Sequence, residues 1–286
     1  KVIKEQGQIS ILFSKKINEK SVKDILSKIP GIENFSLAEK ADPNNDAILK
    51  TALELAKKLK FSTFKISAKR HHKENKLSSN EINNLLGDEI RKKLKKTVTM
   101  KNPDLDIKVE VVKDSAYIST ENVKGVGGFP VDQRQKVVAL LSGGFDSPVA
   151  AYMLMKRGCE VILIHFQNKN TLTKAVQNKV EQLAKQLSKF QVKTKLYIVD
   201  FESIQKEIIK KVDSRERMLI YRKVMINISS EIAIQNRAKF LVTGDSLSQV
   251  ASQTIDNLEA VYQDSPKQIF TPLIGFDKNE IMDIAK

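Results

Sequence analysis

The residues with the most chemical potential in this sequence are Ser142-Gly143-Gly144-Phe145-Asp146-Ser147, a small polar turn between an apolar run and Pro148. Glycines let a ligand approach the backbone closely, and the amides and positive end of a following helix favour an anion, phosphate above all. The turn is neither GxxxxGK[ST] nor GxGxxG. A second polar turn, Gly244-Asp245-Ser246-Leu247, also follows an apolar run. Arg222 is a candidate for a charge-assisted contact to phosphate or substrate, with a plain solvated arginine as the equal alternative. In Asp277-Lys278-Asn279-Glu280 the Asp and Glu stand at capping-box spacing, which accounts for both carboxylates. Lys278 is left in the first helical turn, where the helix dipole disfavours a cation, so it points to another use. His165-Phe166 ends a further apolar run and can frame a purine, although a satisfied structural histidine is the plainer reading.

These residues need elements to hold them. Val137–Leu141 reads as a buried parallel strand, and Pro148 suits a first helical turn because it lacks an N–H that would go unpaired there. Val149, Tyr152, Met153 and Met155 continue that helix to about Gly158. Strands are predicted at Glu160–Phe166, Lys195–Val199 and Phe240–Thr243, with helices at 172–187, around Ile204 and Ile208, and at 214–238. The last of these helices shows Met218, Tyr221, Met225, Ile228 and Ile232 as a core stripe, with Arg215, Arg217, Arg222 and Lys223 lining its first half. The turn at Gly244 is expected to enter a helix holding Gln249, Gln253 and Asn257. The result is an α/β parallel sheet whose strand carboxyl ends carry the polar turns.

The N-terminal half is a different α/β pattern. A short strand at Gln8–Phe13, a helix with Val22, Ile25, Leu26 and Ile29 stopped by Pro30-Gly31, and a strand at Phe35–Glu39 read as half of a split β-α-β unit. A helix follows from about Ala47 to Leu59, then a half-buried strand with Phe64, Ile66 and Ala68 inward. Another helix, Ser79 to Lys96, turns Ile82, Leu86, Ile90 and Leu94 inward, and Ile107, Val109 and Val111 mark a strand paired with Tyr117–Thr120. Lys69-Arg70-His71-His72-Lys73 and Arg91-Lys92-Lys93-Leu94-Lys95-Lys96 are basic clusters suited to RNA phosphates, although solvated faces are the plainer reading of each as structure alone. Gly125 to Pro130, GVGGFP, reads as a flexible linker.

Composition bounds the class of partner. A net charge of +15 favours a polyanion, nucleic acid before membrane surface, since no run approaches the roughly 20 apolar residues of a spanning helix. A lysine-biased proteome would produce the same excess. Cys159 is the sole cysteine, which excludes an internal disulfide and a thiolate zinc cluster, and it reads as structural. The chain opens at Lys1 without a methionine or a signal peptide and stops within a helical pattern, so we expect a piece of a longer protein.

SGGxDS at Ser142–Ser147 resembles the PP-loop, the pyrophosphate-binding motif of adenine-nucleotide alpha-hydrolases, which adenylate a substrate and release pyrophosphate from ATP. Phe64-Lys65-Ile66 with Lys69-Arg70, Glu81-Ile82-Asn83 with Gly87, Pro103-Asp104 and GVGGFP resemble a THUMP domain, which in tRNA-modifying enzymes holds the acceptor end of tRNA. SGGFDSPVAAYMLMKRG, YRKVM, TGDSLSQVASQTIDNL and PLIGFDKNEI together resemble the tRNA 4-thiouridine synthetase family, also called thiamine biosynthesis sulfurtransferases.

The resemblance implies a partial ferredoxin-like domain at 1–45, a THUMP domain at 46–124, a linker at 125–136 and a PP-loop domain at 137–286. It implies an ATP site of Leu140, Leu141, His165, Phe166, Arg222, Gly244 and Gln253, to which the loop residues Ser142, Gly143, Gly144 and Ser147 are added, and activity dependent on Asp146 and Lys278. It further implies Mg²⁺ with the ATP, tRNA as substrate, a cysteine desulfurase as sulfur donor, a sulfur-carrier protein for thiamine thiazole synthesis, a homodimer, and a cytoplasmic, non-membrane location. The reaction implied is adenylation of O4 of uridine 8, then attack by persulfide sulfur. The family's sulfur-handling cysteine lies after the DKxEI helix, so this chain is expected to complete only the adenylation. Ser248 departs from the family's usual glycine in TGxSLGQ, which leaves the backbone of that turn open. Two rivals remain: another PP-loop enzyme such as a 2-thiouridylase or a lysidine or NAD synthetase type, and a tRNA-binding protein without catalysis.

Overall fold

A computed structural model describes residues 1–5, 8–15, 17–71, 78–168 and 174–286. His72 and Lys73 of the first basic cluster, and the first two residues of the helix expected at 172–187, lie outside them. The chain forms two compact units, one of residues 1–27 and 34–124, the other of 28–33 and 125–286.

In the first unit, β1 (Val2–Glu5) and β2 (Gln8–Ile11) form an antiparallel pair, followed by α1 (Glu19–Leu26). The strand expected at Phe35–Glu39 is instead two: β3 (Asn34–Phe35) and β4 (Glu39–Ala41). Neither pairs back onto β2, because both find partners further along the chain. After α2 (Asn45–Lys57), β5 (Thr63–Arg70), α3 (Ser79–Leu94), β6 (Thr97–Val98) and β7 (Leu105–Val111) come β8 (Ala116–Ser119) and β9 (Val123–Lys124). The main sheet runs β4-β8-β7-β5-β6, and β3 pairs with β9. Its core is the one the periodicity predicts, with Phe64, Ile82, Leu86, Ile90, Ile107 and Val109 fully buried between the sheet and α2 and α3. Ser78 and Glu81 close a capping box at the start of α3.

The second unit is a parallel sheet in the order β12-β11-β10-β13-β14. The elements are β10 (Asp132–Leu140), α4 (Asp146–Lys156), β11 (Cys159–Gln167), α5 (Lys174–Leu187), β12 (Leu196–Asp200), α6 (Glu202–Lys211), α7 (Arg217–Gln235), β13 (Phe240–Val242), α8 (Ile255–Tyr262), β14 (Ile269–Phe270) and α9 (Lys278–Ala285). The chain winds outward from β10 to β12 and then crosses back to β13 on the other side. β10 and β13 therefore flank the switch point, where parallel sheets open a crevice for ligands. The paired centres of β10 and β11 are apolar, as burial on both faces requires: Val138, Ala139, Val161, Ile162, Leu163 and Ile164 are all buried, while the first half of β10 is polar and largely exposed.

Three expectations are corrected here. GVGGFP packs rather than flexes. Gly125 and Gly127 donate to the carbonyls of Glu33 and Ile32, Phe129 donates to Lys156, and a Cβ at Gly128 would sit 2.0 Å from the Lys156 carbonyl oxygen. The expected stripe on α7 holds only in part: Ile232 is buried and Ile228 packs against the core, but Met218 is exposed, and Ile226, Ser229, Ser230 and Ala233 complete the buried side. The serines bury cheaply because their hydroxyls donate back to the carbonyls of Met225 and Ile226, at 2.7 and 2.9 Å. Finally, Gln249 is not helical. A short 3₁₀ turn at Ala251–Gln253 precedes α8, whose first turn is capped by Thr254.

Candidate nucleotide site

Three segments converge at the carboxyl ends of β10 and β13. In the first, the turn after β10, the Ser142 amide donates to Ser147 Oγ at 2.8 Å, the two hydroxyls lie 3.0 Å apart, and the Gly144 amide donates to Ser142 Oγ at 3.2 Å. The two serines thus close the loop. Phe145 caps α4 without a side-chain hydrogen bond, so the amides of the first turn are not taken by a capping side chain. Gly143 and Gly144 do not adopt left-handed φ, and a Cβ on Gly143 would meet nothing within 4 Å. Neither conformation nor packing within the chain asks for glycine there.

The second segment follows β13. Because Ala139 pairs with Val242 in the parallel register, the two turns leave the sheet at the same level. Gly244 lies against the first loop so closely that a Cβ would sit 2.7 Å from the Ser147 amide nitrogen. Asp245, 7% exposed, accepts from Arg222 Nη2 at 2.7 Å, from Gln253 Nε2 at 3.0 Å and from the Tyr262 hydroxyl. Arg222 Nη1 also donates to the Ser252 carbonyl at 2.8 Å, so its charge is already met by the chain itself. Ser248 adopts φ 62, the left-handed conformation a glycine would take without strain.

The third segment leads into α9. Ser246 Oγ donates to the Phe276 carbonyl at 2.7 Å, tying the second turn to it. Asp277 and Glu280 form the predicted capping box. Lys278 is spared by that box, and its ammonium lies 6.0 Å from the centre of the Phe145 ring. Asp146 opens α4 with Oδ1 buried and without a partner among the described residues. Burial pushes its carboxyl above the usual aspartate range, and the positive charge of Lys278 opposes that shift.

Leu140 ends β10, and Leu141 is buried, its carbonyl 2.8 Å from His165 Nδ1. That bond satisfies Nδ1 of the buried His165 and ties β11 to the loop. Phe166 packs edge-on against Phe201, which packs edge-on against Tyr221 of α7. Thus Asp146, Ser147, Gly244 and Lys278 are brought together, as are Arg222 and Gln253 around Asp245. Sequence reasoning missed Asp245 and Tyr262. An acidic residue directly after a buried strand and a glycine was the available signal for Asp245. Tyr262 had none. No group of three His, Cys, Asp or Glu residues among those described is arranged to hold a metal ion.

In the first unit, Arg91 and Lys93 pair with Asp88 and Glu89 of their own helix, while Lys92 and Lys95 are exposed.

An α/β THUMP unit followed by a parallel sheet with this loop at its switch point defines a PP-loop protein of the adenine-nucleotide hydrolase fold. The comparisons narrow it. Residues 132–286 match the family of the thiamine biosynthesis protein (ThiI), and residues 43–121 match the THUMP domain. The chain belongs to the ThiI family. A probable tRNA sulfurtransferase of Thermus thermophilus is 42% identical, over 90% of this chain and 63% of its own length. One of Thermoanaerobacter pseudethanolicus is 39% identical, over 100% of this chain and 75% of its own. The chain therefore spans about two thirds to three quarters of these relatives. A crystal structure of a 4-thiouridine synthetase–RNA complex with bound ATP is similar with a TM-score of 0.90 at 34% identity, covering 100% of this chain and 75% of that one.

Proposed function

We propose that this chain binds ATP and tRNA and adenylates O4 of uridine 8, the activating half of 4-thiouridine formation by an ATP-dependent tRNA sulfurtransferase. One observation carries the reading. Among the described residues nothing requires glycine at Gly143 and Gly144 or partners the buried Oδ1 of neighbouring Asp146, and the Lys278 ammonium acts on that carboxyl. That arrangement suits a triphosphate. The similarity to a synthetase solved with RNA and ATP supports the same assignment.

Uracil O4 is a poor leaving group until it becomes part of a phosphate ester. Its attack on the α-phosphorus of ATP releases pyrophosphate. Persulfide sulfur attacking C4 then releases AMP, and a second thiol cleaves the S–S bond, leaving 4-thiouridine and a disulfide on the sulfur-donating side. In this scheme the loop amides and Lys278 stabilise the charge on the transferring phosphates, and Gly244 holds the loop in place. Leu140, Leu141, His165 and Phe166 frame the base, with Ser142, Ser147, Arg222 and Gln253 completing the nucleotide site. Asp146 fits a magnesium ion, which takes one or two carboxylates and leaves the rest of its shell to phosphates and water. Such an ion would neutralise phosphate charge.

With domain limits of 1–45 for the partial ferredoxin-like domain, 46–124 for the THUMP domain, 125–136 for the connecting segment and 137–286 for the PP-loop domain, the THUMP domain holds the tRNA through its basic clusters. Family membership supports a cysteine desulfurase and a sulfur-carrier protein as partners, a homodimer, and a cytoplasmic setting. Among the described residues no helix is long and apolar enough to cross a membrane. Lys278→Ala is the direct test: tRNA-dependent pyrophosphate release should fall at least about 10²-fold. Unchanged release would remove the lysine from the mechanism.

A further inference from the structure

We propose that Asp245 is a positioning residue that fixes which end of the Gln253 side-chain amide the nucleotide site presents. The site then offers a hydrogen-bond acceptor at that point and selects a ligand bearing a donor. The inference rests on the nucleotide reading above and deepens it.

The hydrogen bonds around Asp245 run in one direction. Oδ2 accepts from Arg222 Nη2 at 2.7 Å and from the Tyr262 hydroxyl, and Oδ1 accepts from Gln253 Nε2 at 3.0 Å. Tyr262, having given its hydrogen to Asp245, must accept from Thr243 Oγ1, 2.9 Å away. A carboxylate paired with a guanidinium has only acceptors to offer, so the Gln253 amide must turn its NH₂ toward it. The opposite orientation would face oxygen to oxygen. Gln253 Oε1 is thereby directed away from Asp245, and it is buried with no partner among the described residues. An acceptor held in place and left unsatisfied by its own chain is complementary to an N–H or O–H of a ligand. ATP carries three such donor groups, the exocyclic amine of adenine and the 2′- and 3′-hydroxyls of the ribose.

Asp245→Asn reverses the polarity. Its amide would keep oxygen toward Arg222 and Tyr262 and turn its NH₂ to Gln253, forcing Gln253 to flip and present Nε2. Asp245→Asn combined with Gln253→Glu restores it: the new NH₂ meets one carboxylate oxygen, the other remains an acceptor, and the charge of the pair is unchanged. ATP affinity, measured by calorimetric titration, should fall about tenfold in Asp245→Asn and return to within about threefold of wild type in the double variant. Side-chain amide protons of Gln253, assigned by their loss in Gln253→Glu, should exchange slowly in the wild-type chain and fast in Asp245→Asn, with no nucleotide present. Purine riboside triphosphate, 2′-deoxy-ATP and 3′-deoxy-ATP locate the donor: wild type should discriminate against the analogue that lacks it, and Asp245→Asn should not. Equal ATP affinity in wild type and Asp245→Asn would overturn the proposal, as would a folded double variant no better than the single one, or wild-type indifference to all three analogues. Should Asp245→Asn fail to fold, the double variant and the wild-type analogue series decide. If the wild-type chain binds no ATP yet the amide exchanges slowly, the nucleotide reading fails and the selection claim with it, while the positioning of Gln253 stands.

Discussion

Replacing Gly244 by alanine would set a methyl group 2.7 Å from the Ser147 amide nitrogen, 2.8 Å from its Cα and 2.9 Å from the Asp146 carbonyl carbon. These are backbone atoms of the loop, with no flexible side chain to yield. Reaching ordinary contact requires the turns after β10 and β13 to separate by roughly 0.7 Å, an overpacking that costs about 1–3 kcal/mol. For a chain of this size that corresponds to a fall in Tm of roughly 2–10 °C. A displacement on this scale at the reacting groups lowers a rate by about 10²-fold. Gly143→Ala should behave oppositely. Its methyl meets nothing within 4 Å and its φ is not left-handed, so stability should hold or rise by about 0.4–1 kcal/mol. ATP affinity should nonetheless fall at least about tenfold, because the methyl stands between the loop amides and a phosphate. Thermal unfolding by circular dichroism and ATP titration on both variants separate the two effects. Gly244→Ala with unchanged Tm and activity would refute the packing argument. Gly143→Ala that binds ATP as wild type does would refute the proposed reason for that glycine.

Ser248→Gly should raise stability by about 0.5–1 kcal/mol, visible as a higher Tm, because it removes a left-handed serine while the Ser248 amide keeps its 2.9 Å bond to the Gln253 carbonyl. A lower Tm would show that the serine side chain contributes to the turn. Burial pushes the Cys159 thiol up, with Arg157 opposing. It should therefore react with a disulfide reagent at pH 8 at least about 10²-fold more slowly in the native chain than in urea; equal rates would contradict its burial. Asp146 takes up its proton at a higher pH than an ordinary aspartate, through burial, and Lys278 restrains that shift. If the ionised carboxylate is the working form, residual activation should fail on the acid side at a higher pH in Lys278→Ala than in wild type. An acid limb that stays in place or moves down would contradict the coupling.

The strand–loop–helix at Val137–Gly158 was legible because each part obeys a local rule: an apolar strand buried on both faces, small residues in the turn, a proline in the first helical turn. The capping box at Asp277–Glu280, and with it the spare Lys278, was legible for the same reason. What escaped the sequence depends on distant partners. Asp245 meets Arg222, Gln253 and Tyr262 only because the chain crosses from β12 through α7 to β13 and folds α8 back. The buried face of α7 was read only in part because Ser229 and Ser230 satisfy their own hydroxyls on the preceding turn and so pack like apolar residues beside Ile232. GVGGFP looked flexible because its glycines suit loops. Gly128 is in fact glycine because the Lys156 carbonyl occupies the space of a Cβ.

The central claim is that this chain activates tRNA at the expense of ATP, and pyrophosphate release from ATP in the presence of tRNA bearing uridine 8 tests it most directly. Release should require that uridine, disappear when the position is changed to cytidine, and fall at least about 10²-fold in Lys278→Ala. Release indifferent to the tRNA, or tRNA binding with no release at all, would contradict it.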